Sequence, residues 1–174
     1  EKIKTKIRKG EFPMRTLVID SLSAAQRLTL AKVMKSSPTP DMPSQPEYGK
    51  SNELLLQFVR DWSALAREEG VNIIFVSHAE EIKDDATGTV LIRMALTPGV
   101  IKGIVQTVSA IAYLQVNTKT DQRKLLLKET SKVLAKYRQP RTGPQLPLEI
   151  DNPSLGQIID HKRGIAAPKQ TEGK

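Results

Sequence analysis

The most regular pattern in the chain runs from Leu54 to Ala66. Leu54, Leu55, Phe58, Val59, Trp62, Leu65 and Ala66 recur at intervals of three and four, with Gln57, Arg60, Asp61 and Arg67 between them. That spacing places the apolar side chains on one face of an α-helix. Ser51 precedes the run as an N-cap, and Gly70 stands where a left-handed C-terminal cap belongs. Two apolar runs flank this helix, Leu17-Val18-Ile19 and Val71 to Val76, the second broken by Asn72 alone. Short runs this rich in apolar and β-branched residues predict strands buried on both faces of a parallel sheet. Strand, crossover containing a helix, strand is the βαβ pattern.

The remaining stretches are less regular. Residues 1–15 read as a basic helix end followed by a loop at Phe12-Pro13-Met14-Arg15. Residues 22–35 predict a second helix, with Leu22, Ala25, Leu28 and Leu30 in reach of one face. Residues 36–50 are rich in Ser, Pro and Gly and predict a loop. A second irregular stretch, 79–103, is charged and then punctuated by Gly88, Pro98 and Gly99, with a short strand over Val90–Leu96. Ile111–Val116 and Lys124–Lys128 predict an antiparallel hairpin, and Leu146–Ile150 a short terminal strand. The polar, basic end from about residue 160 reads as a frayed tail.

Composition narrows the function classes. No apolar run is long enough to span a membrane. The chain has no cysteine, which removes disulfides and thiolate metal sites and is compatible with a reducing cytoplasm. The formal net charge of +8 favours polyanionic partners, because neutralising phosphates releases condensed counterions. The same charge also suits a soluble protein with an extended basic face.

Three places carry candidate chemistry. Asp20, followed by Ser21, ends the first strand, and ligands of open parallel sheets bind outside the carboxyl ends of strands. A carboxylate there can hold Mg²⁺, which prefers oxygen ligands and keeps part of its water shell. Either residue can instead cap the helix that follows. His78 ends the second strand, where it can sense a terminal phosphate or cap the next turn. Lys136 and Arg138, spaced i and i+2 on an extended segment, point the same way. They can reach a phosphate held by a neighbouring subunit, or form a solvated basic hairpin.

The order of these pieces carries a resemblance. The stretches TLVIDSL at 16–22, NIIFVSHAEE at 72–81, RMALTPGVIKGIVQTVSAIAYLQ at 93–115 and AKYR at 135–138 resemble the RecA-type P-loop ATPases. Within them, the chain is most similar to the phage nucleotide-binding, single-strand-annealing ATPases. The resemblance implies an α/β fold, a RecA-like three-layer architecture. It has a mainly parallel central sheet and a C-terminal antiparallel hairpin, with its N-terminal part missing. Residues 1–160 would be a partial ATPase domain and 161–174 a basic tail.

The resemblance also implies roles. Asp20 would be the Walker B aspartate holding Mg²⁺, with Ser21 beside it at the ATP site. His78 would be the polar switch residue, and Lys136 and Arg138 the pair that reaches across a subunit interface in a homo-oligomeric ring or filament. Loops 36–50 and 80–103 would hold single-stranded DNA, with Lys50, Arg93 and Lys102 on phosphates. The setting would be a bacterial or phage-infected cytoplasm, with no membrane contact. The sequence departs from this pattern in two ways. It contains no Gly-x-x-x-x-Gly-Lys-Ser/Thr, the loop that wraps phosphates with backbone N–H groups. That loop and the strand bearing the water-polarising glutamate would precede residue 1, so this chain alone is expected to be inactive as an ATPase. Residues 139–142 also lengthen the spacing from Arg138 to Gly143. A second reading makes the chain a non-catalytic DNA-binding or assembly module on a RecA-like sheet, and a third a purely structural interaction domain.

Overall fold

The computed structural model describes residues 2–36, 42–83, 88–138 and 145–162. The chain divides into two compact units, Glu1–Lys83 with Ile92–Val108, and Asp84–Leu91 with Ser109–Lys174.

The first unit is built on a parallel pair. β1 (Thr16–Asp20) and β2 (Asn72–Val76) run side by side in register from Thr16↔Asn72 to Asp20↔Val76. Between them in sequence lie α2 (Leu22–Met34) and α3 (Gln45–Glu69), and before them α1 (Lys2–Arg8). The parallel βαβ unit is therefore as the apolar runs predict. Leu17, Ile19, Ile73 and Phe75 pack with Phe12, Phe58 and Val71 against a buried cluster of Ile7, Trp62 and Leu65. The other face of the pair is open: Val18 is 52% and Val76 37% exposed. The expectation of strands buried on both faces is thus corrected, since α1 and α3 cover one side only.

α3 starts earlier than its apolar stripe suggests. Ser44 is the N-cap, and its N–H donates to Glu47 Oε2 at 2.6 Å, the S-x-x-E arrangement that satisfies a helix start. Pro46 sits in the first turn, where its missing N–H costs nothing. Ser51, expected as the cap, is instead buried within the helix, where its hydroxyl lies 2.9 Å from that of Thr29. Gly70 closes the helix at φ 64°, as expected. Of the stretch expected as a loop over 36–50, residues 45–50 are helical and 37–41 lie outside the described residues.

α2 presents a different face from the one its leucines indicated. Leu22 is buried while Leu28 is 72% exposed. The face toward α3 carries Gln26 and Thr29, spaced with Ser23 at intervals of three, and these bond across rather than pack as hydrocarbon.

After β2 come β3 (Ala79–Lys83) and β4 (Val90–Met94), which pair with each other, and then α4 (Pro98–Thr107). Of the stretch expected as a loop over 80–103, residues 80–83 and 90–94 are paired strands and 98–103 begin a helix, while 84–87 lie outside the described residues. α4 packs on α3 through buried Val100, Ile101 and Ile104.

The second unit is antiparallel. β6 (Tyr113–Asn117) and β7 (Gln122–Leu126) form the expected hairpin. Its turn places Asp121 at φ 52°, a conformation that aspartate tolerates. β9 (Glu149–Asp151) adds to β7, and β5 (Ala110–Ile111) pairs with β8 (Lys136–Tyr137). Leu127, Val133, Ala135 and Leu146 are its buried side chains, and α5 (Leu155–Lys162) ends the described chain.

The described residues make a mixed α/β protein with four small sheets, of which β1–β2 is parallel and the β5–β8 and β6–β7–β9 sheets are antiparallel. A mainly parallel central sheet in three layers is not what they form. Short connections such as the turn between β6 and β7 permit only antiparallel neighbours, and the described residues hold one long crossover of the βαβ kind. The tail from 163 onward lies outside the described residues.

Candidate functional site

Parallel pairing fixes the geometry of the site. Because Asp20 is in register with Val76, Asp20 and the Ser77-His78 pair leave the same edge of the sheet, at the carboxyl ends of both strands. Asp20 and His78 are both exposed. The Asp20–Ser21 peptide is cis. Ser21 is committed to capping: its Oγ accepts the Ala24 N–H of α2 at 3.1 Å. Its hydroxyl therefore serves the helix start, and Asp20 is the free carboxylate of the pair.

His78 has a fixed backbone and an exposed side chain. Its N–H donates to Ser23 Oγ at 3.2 Å. Its carbonyl accepts from Ala95 N–H at 2.8 Å and from Ser77 Oγ at 3.1 Å. Ser23 Oγ also lies 3.3 Å from the Ala95 carbonyl and 3.2 Å from Ser77 Oγ. One hydroxyl can donate to only one of these at a time while accepting from His78. Ser23, 7% exposed, thus ties α2 to the segment after β2 and to the segment before α4.

A second polar group continues the connection. Gln26 Nε2 donates to Thr97 Oγ1 at 2.9 Å, and Thr97 Oγ1 donates to Asn52 Oδ1 at 2.9 Å. Thr97 is the N-cap position of α4. Sequence inspection centred on leucines overlooks Ser23, Gln26, Asn52 and Thr97. The available signal is the polar period of three over Ser23, Gln26 and Thr29 on a helix whose first residue is fully buried.

Replacing Ser23 by alanine is expected to cost about 1–3 kcal/mol, since the His78 N–H and the Ala95 carbonyl each lose a partner in a half-buried setting. Chemical denaturation gives the magnitude. The amide resonances of His78 and Ala95 should move most, and unchanged resonances there would remove Ser23 from this role.

The cations expected to contact phosphates are dispersed. Lys50 is exposed on α3 and Lys102 exposed on α4, neither on a long loop. Arg93 on β4 is paired, its Nε 2.9 Å from Glu80 Oε1, so much of its charge is already compensated. In the second unit Lys136 lies on β8, opposite Ile111, with Arg138 just beyond the strand. Desolvation pushes the Lys136 amine below its ordinary 10.5, and the Arg138 charge pushes it the same way. Burial raises the Tyr137 phenol above 10.0. Gly143 lies outside the described residues.

The donor set suits a metal that arrives with a nucleotide better than a metal alone. One exposed carboxylate at a strand end suits Mg²⁺, which takes few protein ligands and completes its shell with water and phosphate oxygens. Among the described residues no group of three or more His, Asp or Glu converges to hold a metal by itself. The backbone cradle for the phosphates is not among these 174 residues. Among the described residues no helix is long and apolar enough to cross a membrane.

No curated protein and no solved structure matches the chain. A model of the family described as AAA domain matches residues 2–139, which include Asp20, His78, Lys136 and Arg138. Within that match Asp20 ends β1, and Ser77 and His78 follow the end of β2 at the same edge. The chain belongs to the AAA domain family of P-loop ATPases, with the nucleotide-binding, ATPase-like function that membership carries.

Proposed function

We propose that this chain belongs to an ATP-binding, single-stranded-DNA-binding recombination protein and carries the metal-side edge of its nucleotide site. The single observation that supports this reading most is the juxtaposition of Asp20 and His78 at one edge of the parallel β1–β2 pair. In this reading Asp20 holds Mg²⁺ on ATP. His78 sits where a terminal phosphate would lie, with its backbone fixed by Ser23 so that only the imidazole responds. Lys136 and Arg138 serve the nucleotide of a neighbouring copy in a homo-oligomer, and strand annealing is the activity. The setting is a cytoplasm. ATP supplies the phosphoryl chemistry when bound, and the protein groups named here position it and balance its charge.

The phosphate cradle is absent from the 174 residues, so the chain by itself is expected to show no ATP turnover, with or without single-stranded DNA. Phosphate release measures this directly. Turnover above background that Asp20→Ala abolishes would overturn the account of the cradle. A second reading, a non-catalytic DNA-binding module, draws on the net charge of +8. It expects salt-sensitive DNA binding indifferent to ATP and Mg²⁺, whereas the first expects ATP and Mg²⁺ to alter that binding once the cradle is supplied.

A further inference from the structure

Residues 2–15 hold six cations, Lys2, Lys4, Lys6, Arg8, Lys9 and Arg15, against one carboxylate, Glu11. The fold sorts those on α1 into two sets. On one side, Lys4 Nζ lies 3.3 Å from Asp61 Oδ2 and 5.2 Å from the centroid of the Trp62 ring. Asp61 accepts from Gln57 and lies in the field of Lys4 and Arg8; the Gln57 bond first and then these cations hold its carboxyl below 3.8. Ile7, 4% exposed, anchors the helix against Trp62 and Leu65. Lys2, Lys6 and Lys9 remain, spaced i, i+4 and i+7 and therefore on one face. All three are exposed, and Lys9 N–H bonds to the Thr5 carbonyl at 3.1 Å, so the helical path continues through it.

The row gives the helix that carries it little net support, since Lys6 in the last turn suits the dipole but also faces Lys2. Lys2 and Lys6 are like charges at i, i+4, which is unfavourable by a few tenths of a kcal/mol. α1 is held by packing rather than by its own helical stability, with Ile7 in the buried cluster that Trp62 and Leu65 of α3 share. Local choices that oppose the local structure are expected where a surface serves something other than folding.

We propose that the outward row of Lys2, Lys6 and Lys9 binds the phosphate backbone of single-stranded nucleic acid. The three charges span about 10 Å of helix, at 1.5 Å per residue. They are arranged along a line, as a polyanionic strand presents its phosphates. Ammonium groups act as point charges and carry no base preference. A membrane surface fits less well, because of the two apolar residues of α1 Ile7 is already buried and Ile3 alone is exposed, too little to insert. A protein partner fits less well too, since such interfaces are depleted in lysine and centred on aromatic or arginine anchors. The inference rests on the reading that the chain binds single-stranded DNA, but it places the contact on α1, away from Arg93, which Glu80 already pairs.

The test is Lys2→Glu, Lys6→Glu and Lys9→Glu together in the full chain, titrated against a fluorescent oligothymidylate over a range of salt. Affinity at low salt is expected to fall at least about tenfold, and the slope of log K against log salt to shrink by about 2, at roughly 0.7 per phosphate contact on a single strand. Thermal stability is expected to change little, because all three positions are exposed and the contacts of Ile7 and Lys4 that seat α1 are untouched. Loss of binding with retained stability cannot come from unfolding. Unchanged affinity and slope in the triple variant, with wild-type binding intact, would overturn the inference and leave the DNA-binding reading standing. Loss of binding in Arg93→Glu with Lys102→Glu, and not in the triple variant, would do the same. No wild-type binding at low salt would end both. Tighter binding to phosphatidylserine vesicles than to the oligonucleotide, lost in the triple variant, would overturn the assignment to nucleic acid.

Discussion

Trp62→Ala is expected to destabilise the first unit by about 3–5 kcal/mol, the cost of emptying a large aromatic site that its neighbours cannot refill. Trp62 is 7% exposed and forms the buried cluster with Ile7 and Leu65. It meets the Phe58 ring edge-on at 6.2 Å, and Phe58 meets Phe75 of β2 at 6.5 Å. One ring therefore joins α1, α3 and the parallel strand pair. Urea denaturation followed by far-UV circular dichroism gives the loss. Trp62→Phe makes the comparison informative. Trp62 Nε1 is buried without a hydrogen-bond partner, and an unmet buried donor costs about 1–3 kcal/mol. Phenylalanine removes that donor while keeping most of the ring, so it should cost under about 1.5 kcal/mol. If the two variants were equally unstable, the indole would not owe its importance to ring packing alone. Because Lys4 lies over this ring, Trp62→Ala should also loosen α1 and weaken whatever the row of lysines holds.

What the sequence reveals depends on where each force acts. The strands β1 and β2 and the hairpin β6–β7 are legible because apolar runs and turn residues act locally. The edge that brings Asp20 beside His78 is legible for the same reason: a parallel pair starting at Thr16 and Asn72 must end together. The start of α3 is harder to read, because Pro46 and Gly49 look like loop residues until Ser44 and Glu47 are seen to close the helix start. α2 is misread from its leucines because its inner face is polar. Gln26 and Thr29 find partners in Asn52, Thr97 and Ser51 that are distant in sequence, and no local pattern announces them. The pairing of Arg93 is hidden for the same reason, since Glu80 becomes its neighbour only once β3 and β4 pair. The charges of α1 are visible in the sequence, but their division into anchored and outward sets requires Asp61 and Trp62, more than fifty residues away.

Gly103→Val is expected to cost about 3 kcal/mol, at the upper end of what overpacking a core usually does. Gly103 lies inside α4, where glycine is about 0.5–1 kcal/mol less favourable than alanine, so the helix alone would prefer a side chain. Packing decides otherwise. A β-carbon at 103 would run into Leu56 Cδ2, and would stand 3.0 Å from Leu56 Cδ1 and 3.3 Å from Cγ. Leu56 is buried on α3, so its movement is restricted, and α4 rests on α3 at this point. The two effects can be separated. Gly103→Ala alone should be destabilising or neutral, because the clash offsets the helical gain. In a Leu56→Ala background the obstruction is gone, and Gly103→Ala should stabilise by up to about 1 kcal/mol. A change of sign between the two backgrounds, read from urea midpoints, would show that close approach of the helices selects glycine here. The same sign in both would mean that α4 is not seated on Leu56. The seating of α4 in turn sets where Lys102 stands on its exposed side, one residue before the contact.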